Sequence, residues 1–168
     1  MLPPGHLALS YLLGRFLPGV CLRATILGGL LPDIDFVLLP LPVFNQVHRV
    51  LTHNLLFVAG VALVIGTVPQ WRGRIAASAL LGGLVHLLVD ACLDTNPSNG
   101  IGVALLWPFY DGFFSPINLL QPAADAPDWT QPLAMIRSAM TGLVWELPFY
   151  VMALILLTLK LKQTRRSD

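Results

Sequence analysis

The sequence predicts an all-α membrane protein, one helical domain embedded in a bilayer over residues 1–168. Three observations carry that expectation. The chain is 55% apolar and only 11% charged, with a mean hydropathy of +0.72, whereas soluble domains carry about 25% charged residues. Its apolar runs have helical rather than alternating texture. Its bases gather at one set of turns while its histidines and acids gather at the other. A surface so short of charge suits hydrocarbon, not water.

The helical segments follow in order as His6–Leu17, Val20–Leu39, Val47–Val68, Arg74–Leu93 and Pro132–Lys162. Pro18-Gly19, Pro40-Leu41-Pro42 and Pro69 punctuate them. The third, fourth and fifth hold the roughly 20 residues that cross a hydrocarbon core. The first is short and the second is interrupted by Pro32, so these two are expected to be half-spanning or broken. Residues 94–131, rich in Pro, Asp, Asn and aromatics, form one long connection outside the cytoplasm, and loops of that length are commonly functional or disordered. The opening MLPPGHLALSYLL has no basic stretch ahead of its apolar run, so it reads as retained and not as a cleaved signal.

On an up-and-down path, Arg15, Arg23, Arg72, Arg74, Lys160, Lys162, Arg165 and Arg166 all fall on one side, and only Arg49 and Arg137 on the other. The positive-inside rule puts the larger set, and with it the C-terminus, in the cytoplasm of a multi-pass inner-membrane protein. All acids except Asp168 then lie toward the opposite face, and the histidines follow them. The net charge of +1 and the lack of a basic stripe exclude a nucleic-acid partner. Cys21 and Cys92 make neither a CxxC pair nor a disulfide framework.

Several short patterns carry chemistry. LVHLLVDACLD sets His86 and Asp90 four apart on one helix face, with Asp94 continuing the stripe. Such a pair is either a two-ligand unit for a cation such as zinc or a hydrogen bond that satisfies both groups. HRVLTH separates His48 from His53 by five, not one clean helical face, so one of them belongs to the loop before the helix or supports the ligands. Arg49 beside them is either a fork for phosphate or the partner of a neighbouring acid. Thr52 caps the helix or orients a ligand. LLPDIDF offers Asp33 and Asp35 after a proline break, as oxygens for a cation or as turn caps. His6 opens the first segment, and Glu146 lies inside an apolar run where an unpaired carboxylate is expensive. All four histidines and at least four carboxylates thus converge on the outer end of the bundle. A rim built from ligand types, and not from Lys, Ser and Asn, points to a metal site.

These residues resemble a known pattern. Gly5-His6, Pro32-Asp33-Ile34-Asp35, His48-Arg49-Val50-Leu51-Thr52-His53, His86 to Asp90, Gly102 to Pro108, and Thr141-Gly142 to Glu146 match, in order and over nearly the whole chain, the landmarks of the YdjM-type inner-membrane proteins. That family is described as membrane-bound metal-dependent hydrolases and is held to be distantly similar to zinc-dependent phospholipase C and the P1-type nucleases. Two positions depart from it: Phe36 stands where the family usually carries His, and Asn54 where it carries Ser. The resemblance implies a metal shell of His6, Asp33, Asp35, His48, His53, His86, Asp90 and Glu146 holding two or three divalent ions, zinc first among them. Asp90 or Asp35 would act as base and Arg49 would hold developing negative charge. The implied activity is hydrolysis of a phosphoester, such as a phospholipid head group, by a zinc-activated water. Membrane lipid or another amphipathic ester is the expected partner, gripped by Trp107, Phe109, Tyr110, Phe113 and Phe114.

Two other classes compete. A transporter needs polar groups down both halves of its helices, and IAASALLGGLV, FVAGVALVIG and VMALILLTL carry no charge. A non-catalytic module whose metal only staples the helices needs a closed set of four ligands. Loss of folding together with the metal marks the staple, and an intact bundle that has lost hydrolysis marks the enzyme.

Overall fold

The structure is a computed structural model that describes residues 1–41, 43–67, 73–94, 100–120 and 132–167, without the side chains of 45, 132–139, 141 and 164–167. Pro42, Pro69, Arg72, Asp168, parts of the 94–131 connection, and the side chains of Arg137, Thr141, Arg165 and Arg166 lie outside the described residues.

The fold is all-helical, with no strand among the described residues beyond one isolated antiparallel bridge, Val103 to Phe114. Helix α1 runs Pro3–Phe16 and starts on prolines whose missing N–H groups are orphans in a first turn anyway. Helix α2, Leu22–Leu30, gives way to a 3-10 segment, Leu31–Leu38. Pro32 enforces that change, since it removes a backbone donor and clashes with a continuing α-turn. The expected break in the second segment is therefore present, and it tightens the chain just where Asp33 and Asp35 sit.

The third segment corrects the sequence reading. In place of a helix from 47 to 68, a four-residue helix α3, Phe44–Val47, is followed by irregular chain and then by α4, Leu55–Thr67. At 13 residues α4 rises about 20 Å, short of the roughly 30 Å of a hydrocarbon core. The cause is local. Arg49 adopts the left-handed φ of 65°, which no α-helix continues through. Asn54 then caps the new start: its side-chain oxygen accepts the Phe57 N–H at 2.8 Å, while its amide donates to Val50 O at 2.8 Å and Leu51 O at 3.0 Å. Asn is among the best residues for such a cap.

Helix α5 (Gly73–Cys92) and the Gly142–Gln163 stretch of α6 (Pro132–Ser167) are long and apolar enough to cross a membrane. The expectation of three full spans thus becomes two among the described residues. They differ in surroundings: 44% of α5's apolar window is buried inside the protein, against 6% for α6. Helix α5 is the hub. It packs closely on α2, where Gly28 and Gly82 face backbone of the other helix with no room for a Cβ. Helix α6 leans on α1 and leaves Val144, Leu147, Val151, Leu154 and Ile155 exposed.

Candidate metal centre

Four helix ends deliver the polar residues to one place. The first turn of α1 carries His6, the 3-10 segment after α2 carries Asp33 and Asp35, the turn before α4 carries His53, and the last turns of α5 carry His86 and Asp90. Each of these six side chains is buried.

The rings are aimed. His86 donates its Nδ1–H to the Gly29 carbonyl at 2.8 Å, which leaves Nε2 as the lone pair pointing inward. His53 has Nδ1 at 3.1 Å from the Thr52 hydroxyl, and that hydroxyl reaches Asp35 Oδ2 at 3.1 Å. The two inward nitrogens meet two carboxylate oxygens. His53 Nε2 is 3.5 Å from Asp33 Oδ1 and 3.4 Å from Asp90 Oδ2; His86 Nε2 is 3.7 Å and 3.4 Å from the same atoms. Both nitrogens and both Asp33 oxygens lack any hydrogen-bond partner, although buried. Orphaned polar atoms of this kind are costly.

Their spacing supplies the reason. Ligands at about 2.0–2.2 Å from a tetrahedral ion stand about 3.3–3.6 Å from one another. The four N···O separations, 3.4 to 3.7 Å, are close to the edges of that tetrahedron. These residues fit a divalent cation with nitrogen and oxygen ligands.

Of the other expected ligands, His6 lies close enough to Asp33, His86 and Asp90 to form a four-ligand group with them. His6 stacks on His86 with ring centres 3.6 Å apart and holds Asp90 Oδ1 through Nε2 at 3.0 Å, an oxygen that the Met1 amino group also reaches. Asp35 Oδ2 meets His48 Nδ1 at 3.0 Å, and Asp35, His48 and His53 form a second group close enough to hold an ion. His48 and Arg49, with side chains 12% and 14% exposed, are the wettest members, so the rim lies there. Phe36 packs edge-on to the His48 ring at 5.0 Å and contributes no ligand atom.

Glu146, Arg49 and Asp94 have partners of their own. Glu146 stands outside both groups: its Oε1 accepts the Leu2 N–H at 2.7 Å and its Oε2 accepts the Tyr150 hydroxyl. Gly5 permits this approach, because a Cβ there would collide with the Glu146 carboxylate. Arg49 takes the ion-pair reading, bound to Asp94. Asp94 in turn accepts the Gly102 N–H at 2.7 Å and so organises the 100–120 loop and not the metal group. Sequence reasoning missed the Gly29 carbonyl, which no side-chain pattern announces, and Tyr150, whose i+4 spacing from Glu146 was the available signal.

Electrostatics agree with ligation. Burial drives His6 down to about 4, so it is neutral at pH 7. Burial also lowers His48 below its usual 6.5. Burial opposes charge on His53 too, yet the carboxylates of Asp33 and Asp90 outweigh it and hold its pKa at about 9. Asp33 stays below the usual carboxylate value, because the nearby imidazoles of His53 and His86 overcome the effect of its burial. In the absence of an ion, then, a proton on His53 partly neutralises the acids.

The family model described as YdjM inner membrane protein matches residues 1–165. No curated protein and no solved structure matches the chain.

Proposed function

The chain belongs to the YdjM inner membrane protein family, and from that premise we propose that it is a membrane-bound, metal-dependent hydrolase of phosphoesters, such as a phospholipid head group. One observation carries the reading: buried imidazole nitrogens and carboxylate oxygens without hydrogen-bond partners, spaced as ligands of one ion. His53, His86, Asp33 and Asp90 would hold the metal, with zinc the natural occupant of a mixed nitrogen and oxygen set. A bound zinc supplies Lewis acidity, which brings a coordinated water's pKa toward about 7.

The chain's own groups supply the rest. Asp35 accepts from His48 Nδ1–H and so holds the ring in the tautomer whose other nitrogen is basic. His48, kept neutral by burial and lying at the half-open rim, is the proton acceptor that water at the rim would meet. Asp90, considered as a base from sequence, has both oxygens engaged and suits ligation better. Arg49 stands next to His48 with its charge balanced by Asp94, which leaves it a weaker anion clamp than a lone guanidinium. Ile34, Val37 and Leu51, beside the site residues in the chain, and Leu106 and Phe109, on the loop that pairs with the Arg49 and Leu55 backbone, are exposed. An apolar collar around an acid-and-imidazole centre suits an amphipathic ester whose tail stays in lipid. The site then faces away from the cytoplasm, as the distribution of Lys and Arg implies.

One observation favours a second reading. The quartet would supply four protein ligands to an ion, the number that a structural site stapling helices uses. Metal analysis of the purified protein in detergent, a panel of phosphoesters and phospholipids, and Asp90→Asn and His86→Ala variants separate the two. The hydrolase reading expects turnover in the wild type that disappears in folded variants. Bound metal with no turnover on any substrate, and variants that unfold with metal loss, would leave the staple.

A further inference from the structure

We infer that the site holds a single resident ion, and that Thr52, Asp35 and His48 form an orienting chain for it and not a second metal centre. The inference rests on the metal-binding reading and sharpens it. Two groups of ligand types lie side by side here, His6, Asp33, His86 and Asp90 in one and Asp35, His48 and His53 in the other. His53 stands between them, its Nε2 3.5 Å from Asp33 Oδ1 and 3.4 Å from Asp90 Oδ2 of the first. A neutral imidazole has one lone pair, so it ligates through one nitrogen while the other donates. Which nitrogen is committed follows from its neighbours. His53 Nδ1 is 3.1 Å from the Thr52 hydroxyl, whose proton is then directed at Asp35 Oδ2, also 3.1 Å away. Nε2 has no hydrogen-bond partner and faces Asp33 and Asp90.

With Nδ1–H donating to Thr52, the second group loses its third ligand and keeps only Asp35 and His48. Asp35 Oδ2 is itself engaged twice, by Thr52 and by His48 Nδ1 at 3.0 Å. Hydroxyl, carboxylate and imidazole therefore form one chain that ends on the back of a ligand ring. The same device recurs on the other ring, where the Gly29 carbonyl fixes His86. Outer partners of this kind set ring direction and typically change metal affinity by about ten- to hundred-fold. The observation on the other side is Asp35 Oδ1, which is buried without a partner and would suit a second cation.

The test uses zinc as the probe on full-length protein in detergent, dialysed against excess zinc and then counted by elemental analysis. Affinity is read separately by competition with a chromophoric chelator. One zinc per chain is expected. Thr52→Val should keep that count and weaken affinity about ten- to hundred-fold, while Thr52→Ser restores it, since only the hydroxyl matters. Asp35→Asn should likewise keep one zinc and weaken its binding. Two zinc ions per chain, with Asp35→Asn dropping the count to one, would overturn the single-ion assignment and leave metal binding intact. Thr52→Val with wild-type affinity would overturn the orienting chain. No bound zinc at all would overturn the metal reading itself.

Discussion

At the residue scale, His53 decides how the centre responds to pH. Its folded pKa of about 9 stands above the unfolded 6.5, so without metal it contributes stability that is full below 6.5 and lost as pH rises through 9. With metal that slope is cancelled, because the ion displaces the proton: apparent affinity should rise about tenfold per pH unit while one proton is released, which offsets the falling stability of the metal-free state. Thermal melts between pH 6.5 and 9 should therefore slope down for the metal-free protein and run level for the zinc-saturated one. Parallel slopes would show that zinc does not bind at His53. Asn54 makes a second prediction. Its three hydrogen bonds start α4, so Asn54→Ala should cost about 1–2 kcal/mol and Asn54→Ser much less. The shift of the denaturation midpoint reports this, and equal losses in the two variants would remove the cap from the account. What sequence showed at this scale was which residue types assemble. It did not show which ring nitrogen faces inward, because that depends on rotamers set by Thr52 and a backbone carbonyl.

At the element scale, the site exists because α2 and α5 approach unusually closely. Gly28 faces the Ala79 carbonyl and Gly82 the Thr25 carbonyl, each with no space for a methyl group. That contact sets the distance from the Gly29 carbonyl to His86 Nδ1, and hence the aim of one ligand. Gly28→Ala should destabilise by about 1–3 kcal/mol through overpacking and should weaken zinc binding as well. Gly60→Ala on α4, where a Cβ meets nothing within 4 Å, should be neutral or stabilising by up to about 1 kcal/mol. Melting midpoints and zinc affinity measured together check this; a Gly28 variant that melts lower with unchanged affinity would separate packing from ligand aim. The glycine pairs were legible as close packing, and Pro32 as a break. The shortened α4 was not, because HRVLTH runs into an apolar stretch and hydropathy does not register one left-handed residue followed by a cap.

At the scale of the whole molecule, the order of segments alone indicated that residues as distant as His6, Asp33, His53 and Asp90 meet, since alternating helices return their ends to a common level. Glu146 was drawn into the ligand set by the same logic, and in the structure its carboxylate meets a local pair of donors, Leu2 N–H and the Tyr150 hydroxyl, that topology does not specify. Membrane orientation rests on the same path, and it is testable with the fold as it stands. Helix α5 rises about 30 Å over its 20 residues, enough to cross a hydrocarbon core, and the site lies at its C-terminal end. Phe109 is on the site side, because its loop is pinned to Arg49 and Leu55 by the Ala104 N–H and the Leu105 carbonyl. Lys162 is exposed at the far end of α6, sixteen residues beyond Glu146 and so about 24 Å along the axis. In a background carrying Cys21→Ser and Cys92→Ser, Phe109→Cys should react with a membrane-impermeant thiol reagent added outside intact cells. Lys162→Cys should react only after the membrane is opened. Labelling of Lys162→Cys alone from outside would invert the orientation and move the centre to the cytoplasmic face. Labelling of both from outside would deny that α6 crosses the bilayer and, with it, the lipid-facing role of its exposed apolar side.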